Sequence, residues 1–280
     1  MSSRLLACCA VLVLPFAPVL GVESYDFAGK TRAYVYDTVQ EVSWTSAGDT
    51  LRYTSGLTWK LLLRGRSATE VQVTILRVQA RHEGPGSRRS VDSAADAGTD
   101  PDPLLGHLTA LEGTTFGLTV DPATGLVSRA TGTESIAKRI AAAVPNLVDP
   151  SAPSPIDEQA RALYSPEHLQ RLWSAVFALP PGPTRLPLAG PQGGTLVRTW
   201  TGATTWTATL AEAEVPVVMG RPPMEVAGTL GGLSGGGTLL LAGGLPQEAT
   251  GDVTFTLKLT ALTQATEARH HLTWKLAPAP

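Results

Sequence analysis

A two-residue alternation of apolar and polar side chains limits most strongly what this chain can fold into. From Leu51 onward, Leu51, Tyr53, Leu57, Trp59, Leu61 and Leu63 are apolar, while Arg52, Thr54, Thr58, Lys60 and Arg64 are polar. A helix would scatter that pattern around its circumference, whereas a strand sets one series against a core and the other in water. Downstream, TEVQVTILRVQA begins with Val71, Val73 and Ile75 on one face and shifts phase to Leu76 and Val78. A β-bulge there, or a strand covered on both sides, accounts for the shift. Upstream, AYVYDTVQEVSW sets Tyr34, Tyr36, Val42 and Trp44 against Val35 and Val39. The three runs predict an antiparallel meander.

Residues 81–103 follow, with almost no large apolar side chain and many Gly, Pro, Ser and Asp. Such a segment buries too little area to offset the entropy of ordering, so it predicts a mobile loop. TTFGLTV and LVSRAT then flank Asp121, Pro122, Ala123, Thr124 and Gly125, a type I turn closed by a glycine at left-handed dihedrals, and hence a hairpin.

The period changes in the middle of the chain. Thr131 and Glu134 have capping-box spacing ahead of Ile136, Ile140 and Val144, predicting a short helix that stops before Pro145. Ser165 and Pro166 suit the cap and first position of a helix carrying Leu169, Leu172, Trp173, Val176 and Phe177 as one stripe. Pro180, Pro181 and Pro183 end it and open a Pro/Gly linker. Alternation then returns at Thr204, Trp206, Ala208 and Leu210, at Val253, Phe255, Leu257 and Leu259, and at His270, Leu272, Trp274 and Leu276. Between the first two of these runs, the glycines of MEVAGTLGGLSGGGTLLLAGG suit tight connections and bulges rather than helix.

The expected fold is α+β and mostly antiparallel β: two β-meanders, half-barrel or barrel-like, with two or three helices between them. The expected segments are a leader at 1–21, a first meander at 22–131 with a mobile loop at 81–103, a helical part at 132–180, a linker at 181–194 and a second meander at 195–280.

Arg4 followed by LLACCAVLVLPFAPVLG reads as a secretory leader, too short and too broken by Pro15 and Pro18 to span a bilayer. The expected cleavage is before Val22, with lipidation at Cys8 as the alternative. Both cysteines, Cys8 and Cys9, lie inside that leader, so an exported mature chain has no disulfide framework and depends on apolar burial. About 260 mature residues suffice for one large or two modest cores. The net charge of −2, from 22 basic and 24 acidic residues without a long run of either sign, gives no footprint for nucleic acid.

Candidate chemistry is sparse. Gly232, Leu233, Ser234, Gly235 and Gly236 fit a nucleophile-elbow string, with Asp252 and His270 following in hydrolase order. An elbow needs a helix after the serine, whereas GTLLLAGG reads as strand, so a Gly-rich turn is the better account. His270 and His271 leave opposite faces of one strand, and His82, His107 and His168 lie in unrelated segments, so no metal set is expected. Asp96, Asp100 and Asp102 lack the ligand spacing of a calcium loop and read as solvated. No catalytic residue, cofactor or metal is therefore assigned. Of the six tryptophans, Trp59, Trp173, Trp206 and Trp274 are the candidate ligand-binding residues, with core packing as the plainer role.

The order of leader, YDFAGKTRAYVY, LRYTSGLTWKLLLRG, FGLTVDPATGLVSRATG and SPEHLQRLW resembles exported bacterial proteins of the kind common in planctomycete-like genomes. The opening strands and hairpin are also similar to the amino-terminal barrel of vitellogenin-type lipid carriers, without that family's cysteines or its long helical array. The resemblance implies a β scaffold in the cell envelope that accommodates lipid, with no functional residue carried over. Three functions follow as expectations: an exported non-enzymatic binder of an apolar ligand such as lipid, in the periplasm or outside the cell; a structural or protein-binding envelope component; and, last, a hydrolase using Ser234.

Overall fold

A computed structural model describes residues 23–46, 48–95, 105–144, 146, 149, 151, 152, 154, 157–180, 184–187, 194–219, 226–261 and 264–280. The leader, the cleavage position before Val22 and Cys8 lie outside the described residues, as do Asp96, Asp100 and Asp102.

The first meander consists of β1 (Thr31–Ser46), β2 (Asp49–Gly65) and β3 (Glu70–Gly84). Its residues are the Tyr, Val, Thr, Trp and Leu that favour a pleated, half-buried surface. The phase shift at Leu76 is a bulge, since Lys60 pairs with Arg77 while Leu61 pairs with Ile75. The extra residue throws Leu76 to the exposed side and returns Val78 to the core. β4 (Ser87–Asp92) folds back on β3. The segment expected as a loop at 81–103 is thus a hairpin through residue 92, because its polar residues need only one covered neighbour per pair. Val91 supplies that burial, and Asp92 holds Arg77 by a bidentate ion pair.

A 3-10 helix (Gly106–Leu111) leads to β5 (Thr115–Val120) and β6 (Val127–Thr131). Their turn has the predicted chemistry: Asp121 Oδ1 accepts from the Ala123 and Thr124 amides, and Gly125 takes φ +70°.

Three helices follow: α1 (Thr133–Ala143), α2 (Asp157–Leu163) and α3 (Pro166–Phe177). The capping box at Thr131 does not form. Thr131 is the last strand residue, paired with Gly117, and α1 opens after Gly132 at φ +77°. The strand's ladder takes the backbone that the cap would have needed. At α3 the cap is as predicted, Ser165 Oγ accepting from the His168 amide at 3.1 Å.

The Pro-rich stretch contains a short strand, β7 (Thr184–Pro187), so 181–194 is not linker throughout. β8 (Thr195–Trp200), β9 (Thr205–Leu210), β10 (Glu214–Met219), β11 (Val226–Ala242), β12 (Leu245–Ala261) and β13 (Gln264–Pro278) complete the chain. The glycine-rich run is the 17-residue strand β11, interrupted by a register shift between Gly231 and Ser234. Gly243 and Gly244, both at positive φ, close its two-residue hairpin to β12.

All thirteen strands join one antiparallel sheet, ordered β6-β5-β3-β2-β1-β13-β12-β11-β9-β8-β7, with β4 on β3 and β10 on β11. The fold is α+β and strand-rich as expected, with the helices between two meanders. The meanders are fused edge to edge by the β1–β13 ladder, and β6 and β7 end the sheet without pairing with each other. It is an open sheet rather than a closed barrel.

One face of this sheet, called the inner face below, carries the main core. α3 lies on it, burying Leu169, Trp173, Val176 and Phe177 against Tyr36, Trp59, Leu61, Val73 and Phe116. Tyr25 and Phe27, which precede β1, stack on each other at 5.4 Å and meet Phe177.

Candidate functional site

The inner face reads as cross-strand rungs. One runs from Trp200 on β8 to Trp206 on β9, Gly237 on β11, Gly251 on β12, Trp274 on β13, Thr38 on β1, Leu57 on β2, Ala80 on β3 and Val91 on β4. Two glycines side by side leave a gap in an otherwise filled surface. Trp206 and Trp274 lean into it from either side and stack, with ring centroids 6.3 Å apart and planes 18° from parallel. A Cβ on Gly237 would lie 2.5 Å from Trp206 Cζ2, and one on Gly251 would lie 2.8 Å from Trp274 Cζ2. Only glycine permits this pair.

The next rung places Arg198 on β8 beside Ala208, Gly235, Val253, Leu272 and Gln40. Arg198 is 2 % exposed, and its guanidinium carbon sits 4.1 Å from the Trp206 ring centre. Its Nη2 donates to the Ala175 carbonyl, in the last turn of α3, where a cation also suits the helix dipole. Nε and Nη1 have no acceptor among the described residues, and burial lowers the group's pKa to about 10, which leaves it charged at neutral pH. The Tyr25 hydroxyl is likewise buried without a partner among the described residues, and burial pushes its pKa well above 10.

One rung further, His270 stacks on Phe255 with centroids 4.6 Å apart and pairs through Nδ1 with the Gln40 amide at 3.0 Å. Its Nε2 is buried and unpaired, and desolvation lowers its pKa. Around these groups Trp200, Leu210, Phe255, Leu272 and Trp274 are only partly buried. α3 packs against β6 and β7 at the two edges of the sheet and against β12, and beyond it these five side chains are only partly covered by the described residues.

The four candidate tryptophans therefore divide. Trp59 and Trp173 are 5 % and 1 % exposed and belong to the aromatic core, Trp173 standing 6.1 Å from Tyr36 and 5.2 Å from Phe177. Trp206, itself only 4 % exposed, and the partly buried Trp274 come together further along the inner face. Sequence reasoning passed over Gly237, Gly251, Arg198 and Tyr25. A glycine in a Gly-rich run and an arginine in an alternating strand carry no local mark. Their importance lies in the register that aligns them.

Ser234, Asp252 and His270 do not meet. Ser234 lies within the antiparallel strand β11, just past its register shift, with its Oγ 3.2 Å from Thr254 Oγ1. Asp252 bonds His271, not His270, at 2.9 Å on the opposite, outer face. The two neighbouring histidines do leave opposite faces, His271 standing also 3.6 Å from Glu41. Among the described residues no three His, Cys, Asp or Glu side chains converge as metal ligands, and no helix is long and apolar enough to cross a membrane.

No family model matches the sequence, and no curated protein matches it. Among solved structures the chain is similar to lipovitellin, in a structure concerned with lipid–protein interactions, at 12 % identity and a TM-score of 0.47. The likeness covers 90 % of this chain and 25 % of that one, so the chain spans about a quarter of the protein it is similar to.

Proposed function

We propose that this protein is an exported, non-enzymatic binder of an apolar or amphipathic small molecule such as lipid. The observation that carries the reading is the glycine-seated stack of the buried Trp206 on the partly buried Trp274, bordered by other partly buried apolar side chains of the inner face. Flat aromatic rings, Leu272 and Phe255 offer contact area to a hydrocarbon chain at little entropic cost. Large apolar side chains left only partly buried side by side on one face suit a ligand or partner that covers them. The leader-like first residues and the cysteine-free remainder support an exported location. The likeness to lipovitellin stands beside this reading without carrying it.

Protein purified from its own host retains co-purified lipid in native mass spectrometry, and the delipidated chain enhances Nile red emission. Gly251→Val, which drives Trp274 out of its seat, and Trp274→Ala each weaken the dye's Kd by about tenfold, the equivalent of roughly 1.4 kcal/mol. Bare protein together with an unchanged dye response defeats the reading, and a specific protein recovered by crosslinking to this face replaces it.

A further inference from the structure

We propose that Arg198 and Tyr25 form a buried anion seat on the inner face that takes the carboxylate of a single-chain amphiphile, the hydrocarbon tail running over Trp206 and Trp274. This rests on the apolar-ligand reading above and adds the chemical class of the ligand's head.

A guanidinium that is 2 % exposed needs counter-charge or a full set of acceptors, because water cannot reach it. Arg198 has neither within the described residues. The Ala175 carbonyl satisfies Nη2 and explains why a cation lies at the end of α3, but it leaves the Nε and Nη1 protons without acceptors. No carboxylate ion-pairs with Arg198 among the described residues. Tyr25 packs on Phe177 with ring centroids 5.5 Å apart, in the same last turn of α3 whose Ala175 carbonyl takes Arg198, and its hydroxyl is a second buried donor with no acceptor among the described residues. Unpaired donors in one buried place call for a group that only accepts, and a carboxylate does so while cancelling the single charge. A neutral phenol remains a donor at any physiological pH, which suits it to that oxygen.

The tail's direction follows from the neighbouring rung. Trp206 lies flat beneath the guanidinium at 4.1 Å and continues into the partly buried Trp274 at 6.3 Å, so an apolar path of stacked rings leads from the charged pole toward the less covered part of the face. A molecule with one anionic end and one hydrocarbon end matches both parts. A free inorganic anion would match only the first.

The test compares laurate with 1-dodecanol and with inorganic phosphate on the full delipidated chain at pH 7.5, read from quenching of tryptophan emission. The seat predicts that laurate binds at least about tenfold more tightly than dodecanol, as a charge-assisted hydrogen bond to a buried site confers, and that phosphate does not displace it. Arg198→Met abolishes the preference for laurate over dodecanol, and Tyr25→Phe reduces that preference by about threefold. Equal binding of laurate and dodecanol to the unaltered protein overturns the seat while sparing the apolar-ligand reading, and needs no variant to fold. Retention of the laurate preference in Arg198→Met also overturns it. Displacement of laurate by phosphate reassigns the seat to a free anion, and failure of both chains to bind removes the seat and the apolar-ligand reading together.

Discussion

His270 shows how one side chain's burial turns into pH behaviour of the whole protein. Between Phe255 and the Gln40 amide it has lost most of its water, and the charged imidazolium is disfavoured there. Its pKa in the folded chain lies below the 6.5 of a free histidine, so near that pH the unfolded chain binds more protons. Stability from this source is therefore complete above the unfolded value and falls as pH drops from 6.5 through the lowered folded value. His168, desolvated and near Arg171, adds to the trend with the same sign. Urea unfolding at pH 7.5, 6.5 and 5.5 should show stability falling toward acid, and His270→Gln, which keeps a polar partner for Gln40 without titrating, should flatten that slope. An unaltered slope in the variant would remove His270 from the account.

Secondary elements here hold together through a few polar ties set in apolar packing, and α3 is the clearest case. Its stripe was legible from the spacing of Leu169, Trp173, Val176 and Phe177, as was its cap at Ser165 and Pro166. Its docking partner was not legible, because a stripe states how much area must be covered and not by what. The tie that fixes the position is Ser174, whose buried Oγ accepts the Val127 amide at 2.9 Å, joining α3 to the first residue of β6. Ser174→Ala leaves that amide buried and unsatisfied and should lower stability by about 1–3 kcal/mol. Denaturant unfolding measures it, with Ser135→Ala, whose exposed Oγ donates to Gly132, as a control that changes little. The capping box at Thr131 shows the limit of local signals: the same residue types stood at the right spacing, and pairing with Gly117 claimed the backbone first.

Across the whole molecule, the decisive contact is the ladder between β1 and β13, twelve residue pairs from Tyr34–Pro278 to Thr45–Glu267 that bring the two ends of the described chain together. It makes the two meanders one sheet, with Leu276 and Ala249 of the second packed in the same core as Tyr36 and Trp59 of the first. Thermal unfolding followed by far-ultraviolet circular dichroism and by tryptophan emission should therefore coincide in a single transition, and Trp59→Phe and Trp206→Phe should not separate the probes. Two resolved transitions would mean that the meanders unfold independently despite the shared ladder.

The sequence by itself determined the strands that alternate cleanly, the change of phase at Leu76, the turn that closes on Gly125 and where α3 begins. These depend on neighbours within a few residues, and side-chain period, turn dihedrals and caps are written at that range. Only the tertiary structure decided that the sheet stays open and that Gly237 and Gly251 align to seat two tryptophans. It also decided that Arg198 is shut away at the last turn of α3, against which Tyr25 packs too. Each of those outcomes depends on register between strands far apart in the chain, and a shift of one residue would have turned the same side chains to the other face.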